Sequence, residues 1–190
     1  ILLSLLVTCA AALFCLPVKN AYAEYTQLFP STTIDDVKYY YYSNDTGVTI
    51  HSISPTNGAS SVSVPEKIND EFVTAIGAPS KESEGGYSGG TPAPVEASSL
   101  DVTNCSRLET LYCDVAGMVA IDASGLSSLE FAAFDARIDY YPSQFSLDVT
   151  GDTNLKFLDC SKVQLGSLDL TGCHSLEGLQ CDSINATSLD

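Results

Sequence analysis

The chain has 190 residues, and its 24 Asp and Glu residues against 8 Lys and Arg residues give a formal net charge of −16 at pH 7. A surface of this sign repels phosphate backbones, so the composition argues against a nucleic acid as the partner. It could attract cations or a basic protein, although an acidic surface that only keeps a secreted protein in solution is the commoner case. The sequence contains no Walker-type Gly-rich loop and no His-Glu-x-x-His metal motif.

Residues 1–23 have the organisation of a signal peptide. An apolar run over residues 1–16 is followed by a polar break and by Ala21-Tyr22-Ala23, a small-x-small cleavage site. A membrane anchor is the alternative, but the run is shorter than the ~20 apolar residues that a helical span needs. An initiator Met and a basic n-region are missing, so we expect the signal to begin upstream of Ile1. The prediction is a protein that is secreted or held at the cell surface and that meets the membrane only through this signal or a further anchor.

Residues 24–77 favour strands. The segment 37–42 (VKYYYY) is aromatic, 44–47 (NDTG) is a turn signal, and 48–53 (VTIHSI) alternates apolar with polar residues. This order predicts a β-hairpin within a small β-rich module, which could cap the array that follows. The tyrosines could form a ligand-stacking platform, but half-buried strand positions are the commoner explanation.

Residues 78–99 differ in composition from their surroundings. They are rich in Gly, Ser, Pro and Glu and contain few apolar side chains. Such a segment has little surface to bury, so we expect a flexible linker or a long surface loop at this point of the chain.

Residues 100–190 consist of one repeated phrase. The stretch 147–160 (LDVTGDTNLKFLDC) returns as 168–181 (LDLTGCHSLEGLQC), and related openings stand at Leu100 and Ile121. Another copy opens at Leu189, so the fifth copy is truncated where the sequence stops. The period is about 21 residues, with one longer interval after Ile121, and repetition in this range predicts a solenoid.

Apolar residues within each repeat fall in pairs two positions apart. Leu158 and Cys160 are one such pair, and Leu168 and Leu170 are the next along the chain. This spacing places both side chains on one face of a strand. One coil cannot bury that face alone, so stacked coils build a continuous core. Because helical periodicity is absent, we predict a β-rich solenoid with parallel strands and little helix.

Five cysteines follow the signal, namely Cys105, Cys113, Cys160, Cys173 and Cys181. They form no Cys-x-x-Cys pair, so no zinc site is predicted. Cys113, Cys160 and Cys181 take the inward position that Leu would also fill, and we expect buried thiols. A disulfide remains the alternative, because Cys160 and Cys181 should be neighbours on adjacent coils.

An Asp follows the first apolar residue of every repeat and precedes a Thr or Ser by two positions; these are Asp101, Asp122, Asp148 and Asp169. Capping of nearby backbone N–H groups is the predicted role, and a calcium-binding column is the alternative. The only histidines, His51 and His174, lie in different segments. No catalytic constellation emerges, and we predict a protein that is not an enzyme and needs no metal or cofactor.

The pattern Leu-x-x-Leu-x-Cys-x-x-x-x-Leu-x-x-Leu-Asp-Leu-Thr at residues 155–171 resembles the short leucine-rich repeats of bacterial surface proteins. The repeat length is similar to that of internalins, and residues 62–77 resemble the opening unit of BspA-type leucine-rich-repeat proteins. The resemblance implies a right-handed leucine-rich-repeat solenoid with a parallel sheet on its concave side. It also implies an exported protein that serves adhesion or partner binding.

Residues that alternate with the inward pairs should face the concave side. The predicted partner-binding residues on this face are Tyr112, Asp114, Phe131, Asp135, Phe157, Asp159, Gln180 and Asp182. Arg137, Tyr140 and Tyr141 join them from the expanded loop of the second repeat, which could equally be a tolerated insertion. Aromatic side chains among carboxylates predict a face for a protein or glycan. The alternatives are a targeting module for a secreted enzyme encoded beyond residue 190 and a structural stalk.

Overall fold

A computed structural model describes residues 29–81, 87–135 and 145–181. By its internal contacts the chain divides into Ile1–Pro30 and Ser31–Asp190. The strands of the second unit are β1 (Ser31–Ile34), β2 (Val37–Asn44), β3 (Gly47–Pro55), β4 (Ser61–Ser63), β5 (Lys67–Ile68), β6 (Glu71–Ile76), β7 (Ala78–Lys81), β8 (Tyr87–Thr91), β9 (Ala93–Pro94), β10 (Ser99–Asp101), β11 (Thr110–Asp114), β12 (Ala120–Asp122), β13 (Phe131–Asp135), β14 (Ser146–Asp148), β15 (Phe157–Asp159) and β16 (Gly178–Gln180). The described part of the chain contains no helix.

The strands build a solenoid of about five turns. One wall is a ten-stranded sheet with the order β1-β2-β3-β6-β11-β13-β15-β16, to which β5 and β9 pair at the side. The opposite wall is a four-stranded sheet with the order β14-β12-β10-β4, and β7 and β8 form a separate pair. From β4 onward, successive coils pair in parallel in both walls. The prediction of a β-rich solenoid with parallel strands is confirmed.

The repeat period determines the register between coils. Leu100 faces Val62 on one side and Ile121 on the other, and Ile121 faces Leu147. In the larger sheet, Leu158 pairs with Ala132 and with Leu179. Equivalent residues therefore stack on each other, and a one-residue slip would turn every apolar side chain outward.

A single apolar cluster fills the space between the two walls. Leu108, Leu111, Leu129, Leu155 and Leu158 are fully buried in it. Full burial of a Leu side chain stabilises a fold by roughly 1.5–3 kcal/mol relative to exposure, so these rows hold the coils together. Toward β16 the packing thins, because Leu170, Leu176 and Leu179 are only partly buried.

The hairpin predicted near the start of the chain is present as β2 and β3, which pair antiparallel. The Asn44 side-chain oxygen accepts hydrogen bonds from the Thr46 and Gly47 N–H groups at 2.9 and 3.2 Å and closes the turn. Strand β3 then pairs in parallel with β6, which pairs with β11 of the array. The hairpin thus continues the larger sheet of the solenoid.

The segment 78–99 differs from the expected linker or surface loop, because it carries β7, β8, β9 and the start of β10. Ala93 and Val95 are buried, at 1% and 6% exposure, and Ala93 pairs with Cys113. Its average composition is polar, but Ala93, Val95 and Ala97 are enough to join it to the apolar core.

None of the described residues belongs to a helix long and apolar enough to span a membrane.

Candidate binding face on the larger sheet

The outer side of the larger sheet carries an apolar cluster that is separate from the core. It consists of Tyr112, Phe131, Ala133 and Phe157, and we call it the aromatic face. Its residues alternate with core residues along each strand, so Tyr112 lies between Leu111 and Cys113 of the core. The structure therefore places the predicted inward and outward positions on opposite sides of the sheet.

Stacked coils bring the aromatic rings into contact. The rings of Phe131 and Phe157 are parallel within 4°, with centroids 5.5 Å apart. The ring of Tyr112 meets Phe131 edge-on at 88° with a centroid distance of 6.4 Å. Pairs of this geometry contribute about 0.5–1.5 kcal/mol beyond the area that they bury.

The aromatic face is more enclosed than an exposed sheet surface. Tyr112 and Phe131 are 9% and 3% exposed, whereas Phe157 is half-buried. The alternation of residues predicts the side of the sheet on which a ring lies, but the exposure of the ring depends on its neighbours. Phe157 is the most exposed of these three rings.

Gly178 provides the space in which the Phe157 ring lies. A Cβ on Gly178 would be 2.6 Å from Cδ2 of Phe157, closer than real Cβ atoms approach. The Gly178 backbone does not require a positive φ, so glycine serves here to make room for the ring. The sequence pattern places Gly178 on this face but does not reveal this role.

Replacing Gly178 with Ala should cost about 1–2 kcal/mol of stability, because the added methyl displaces the Phe157 ring. In a Phe157→Ala background the same change should cost close to nothing. Chemical denaturation of the two single variants and the double variant measures this coupling. Equal costs in both backgrounds would show that Gly178 is needed for another reason.

The carboxylates predicted beside the rings are engaged in local structure. The Asp114 side chain accepts a hydrogen bond from the Ala116 N–H at 3.0 Å, and the Asp159 side chain accepts from the Ser161 N–H at 2.9 Å. Both residues thus close the turn that follows their strand, as Asp does in Asx-turns. Both carboxylates lie next to the aromatic face, as predicted, but the turns determine how their side chains are oriented.

Two ion pairs frame the face at the ends of its strands. Lys156 Nζ lies 3.0 Å from Glu130 Oε1 at one end, and Lys162 Nζ lies 3.1 Å from Asp135 Oδ1 at the other. The hydrogen bond to Asp135 raises the pKa of Lys162. Exposed pairs of this kind contribute ~0–1 kcal/mol each, so they orient side chains more than they stabilise coils. Gln180 is exposed on the neighbouring strand.

Four residues of the predicted face, Arg137, Tyr140, Tyr141 and Asp182, lie outside the described residues.

The Asp residues that follow the first apolar residue of each repeat form a row of turn caps. Asp101, Asp122 and Asp148 lie at the ends of strands of the smaller sheet, and Asp169 continues the row in the next repeat. Thr103, Ser124, Thr150 and Thr171 each donate their N–H to the Asp two residues earlier, at 2.8–3.1 Å. The hydroxyls of the first three donate to the same oxygens at 2.7–2.8 Å. The predicted capping role is confirmed. Across the described ranges, no group of three or more His, Cys, Asp or Glu side chains is placed to hold a metal ion.

Comparison of the sequence with protein-family models, with curated proteins and with solved structures found no match. The chemistry of the aromatic face is therefore the basis on which a function can be proposed.

Proposed function

We propose that this chain is a non-catalytic binding module of an exported bacterial surface protein, and that it adheres to a protein or glycan through the aromatic face. The observation that carries the proposal is the Phe131–Phe157 stack on the outside of the parallel sheet. The stacked rings lie on the side of the sheet opposite the main core, and the ring of Phe157 is half-buried. A partly exposed aromatic ring such as that of Phe157 is a common anchor in binding sites.

The architecture that we propose is a right-handed leucine-rich-repeat solenoid with a BspA-type opening unit. Its support is the recurring phrase, whose leucines occupy one core row per coil. The parallel stacking of equivalent residues fits such repeats, and we place the aromatic face on the concave side. Export rests on the signal-like residues 1–23.

Phe157 is the proposed centre of the contact. Asp159 lies two residues further along β15, and Gln180 is its partner on β16. An aromatic surface bordered by an acid and an amide suits either a glycan ring with its hydroxyls or a protein side chain with its polar groups. We assign no catalytic step to these residues.

Phe157→Ala should weaken binding by 30-fold or more, since truncation of an aromatic hot spot costs about 2 kcal/mol or more. The matched control is Val119→Ala, because Val119 is an apolar residue with 52% exposure that does not belong to the aromatic face. The test applies the purified chain to a glycan array and to immobilised extracellular-matrix proteins. We expect the wild-type chain and Val119→Ala to bind the same ligand. Phe157→Ala should no longer bind it. Undiminished binding by Phe157→Ala would rule out the aromatic face.

A further inference from the structure

Strands β15 and β16 bring two cysteines opposite each other. Asp159 pairs with Gln180 in the parallel register, and the N–H of Cys160 donates to the carbonyl of Gln180 at 2.8 Å. The next facing pair is therefore Cys160 and Cys181. Neighbouring strands lie about 4.8 Å apart, within the ~4.4–6.8 Å of Cα separation that a disulfide accepts.

Both thiols belong to the same apolar environment. Cys160 is fully buried in the core, and Cys181 packs against that core while remaining partly exposed. The Cys160 sulfur lies 3.5 Å from the carbonyl oxygen of Gln180, the residue that precedes Cys181. The side chains thus point to the same side of the sheet at adjacent rungs.

The other three cysteines, all within the described ranges, have no such neighbour. Cys113 pairs with Phe134 on the neighbouring strand, so the equivalent position of the next coil holds a phenyl ring and not a thiol. The Cys105 sulfur points toward the Val64 carbonyl at 3.8 Å, and the Cys173 sulfur points toward the Val149 carbonyl at 3.2 Å. Of the five cysteines beyond the signal, the fold brings together one pair.

We propose that Cys160 and Cys181 form a disulfide under oxidising conditions and so link the ends of β15 and β16 covalently. The thiolate of Cys181 attacks an external disulfide, which gives a mixed disulfide and releases one small thiol. The thiolate of Cys160 then attacks the Cys181 sulfur and releases the second small thiol. The two cysteines give up two protons and two electrons, and the external disulfide takes them up as two thiols.

The order of these steps follows from exposure. Burial, with a smaller contribution from Cys181, raises the pKa of Cys160 to about 12, so this thiol is a poor first nucleophile. Cys181 is the partly exposed member and meets the oxidant first. Once formed, the bridge closes a loop of about 21 residues, and such loops stabilise by restricting the unfolded chain. It does so where the core is least enclosed.

The test equilibrates the full chain with oxidised glutathione, alkylates the remaining thiols and digests after Lys and Glu. Cuts at Lys156, Lys162 and Glu177 place Cys160, Cys173 and Cys181 in separate peptides. Mass spectrometry should find the peptide 157–162 joined to the peptide that begins at Gly178, with two hydrogens fewer than the sum of both. The midpoint of thermal unfolding should rise by roughly 5–10 °C over the reduced chain.

Cys181→Ser should abolish the joined peptide and the thermal shift, and Cys113→Ser should retain both. Cys181 is the preferred variant because its partial exposure makes a folding defect small. The proposal is overturned if Cys160 and Cys181 are both alkylated after oxidation, or if either is joined to Cys173 instead.

Discussion

Asp152→Asn should stabilise the solenoid by about 4 kcal/mol at pH 8 and leave its stability almost unchanged at pH 4. Asp152 is fully buried, and it occupies the position that Cys105, Leu126 and Cys173 take in the other coils. One of its oxygens accepts a hydrogen bond from the Leu126 N–H at 2.7 Å, while Oδ2 has no hydrogen-bond partner. An amide has nearly the shape of the protonated acid and keeps the first bond.

The pH dependence follows from the environment of this carboxyl. Burial raises the pKa of Asp152 from 3.8 to about 7, and the carboxylates of Asp148 and Asp122 add to the shift. Burial raises the pKa of the nearby Cys173 thiol, and the Asp152 carboxylate adds to that rise. The folded state holds the proton more tightly than the unfolded state, so this contribution to stability is complete below pH 3.8 and is lost as pH rises through 7.

His51 changes the stability of the fold with pH in the opposite direction to Asp152. It is 7% exposed, and burial lowers its pKa from 6.5 to about 4, so its contribution is present above pH 6.5 and is lost as pH falls toward 4. The two groups partly cancel in the wild-type chain. The informative quantity is therefore the difference between variant and wild type at each pH.

Urea denaturation from pH 4 to pH 8 measures that difference. Asp45→Asn is the matched control, because it removes the same formal charge from an exposed turn. Its effect should be small and nearly constant. A pH-independent effect of Asp152→Asn would show that the buried carboxyl does not titrate in this range.

Gly77→Ala should destabilise the fold by more than about 3 kcal/mol, enough to abolish much of the stability of an ordinary domain. Gly77 follows β6 with φ at +74°, and a Cβ there would lie 2.1 Å from the backbone oxygen of Tyr112. Its N–H donates to the Ile50 carbonyl at 2.8 Å. Neither backbone can move without breaking the junction between the hairpin and the repeats.

Two other glycines serve as controls, because they share the left-handed backbone conformation of Gly77 but not its close contact with Tyr112. Gly58 and Gly125 have φ values of +72° and +73°, and an added Cβ would meet no atom within 4 Å at either position. Gly58→Ala and Gly125→Ala should cost only about 1–2 kcal/mol, the penalty of a left-handed conformation. Denaturation curves of the three variants compare them directly. If Gly77→Ala costs no more than Gly125→Ala, the close approach to Tyr112 is not what requires glycine.

Much of the solenoid could be predicted from local rules. The spacing of Leu158 and Cys160 indicates a strand with one buried side, and the Asp-x-Thr turns predict their own caps. The strand at Ala93 and the burial of Val95 could not be predicted, because the apolar residues are few and their burial depends on pairing with β11 and β3. The burial of Phe131 and the need for glycine at position 178 could not be predicted for a related reason. Both arise from rings on neighbouring coils, which the pattern of a single repeat does not describe.

The period of the coil, the alternation of its strands and the rows that stack can be derived from the sequence, because they follow from the chemistry of nearby residues. The exposure of each ring and the burial of the Asp152 carboxyl became clear only from the packed coils, because they depend on residues about 21 or more positions apart. Asp152 shows the difference: its repeat position marks it as inward, but only the packing of three coils around it moves its pKa to about 7.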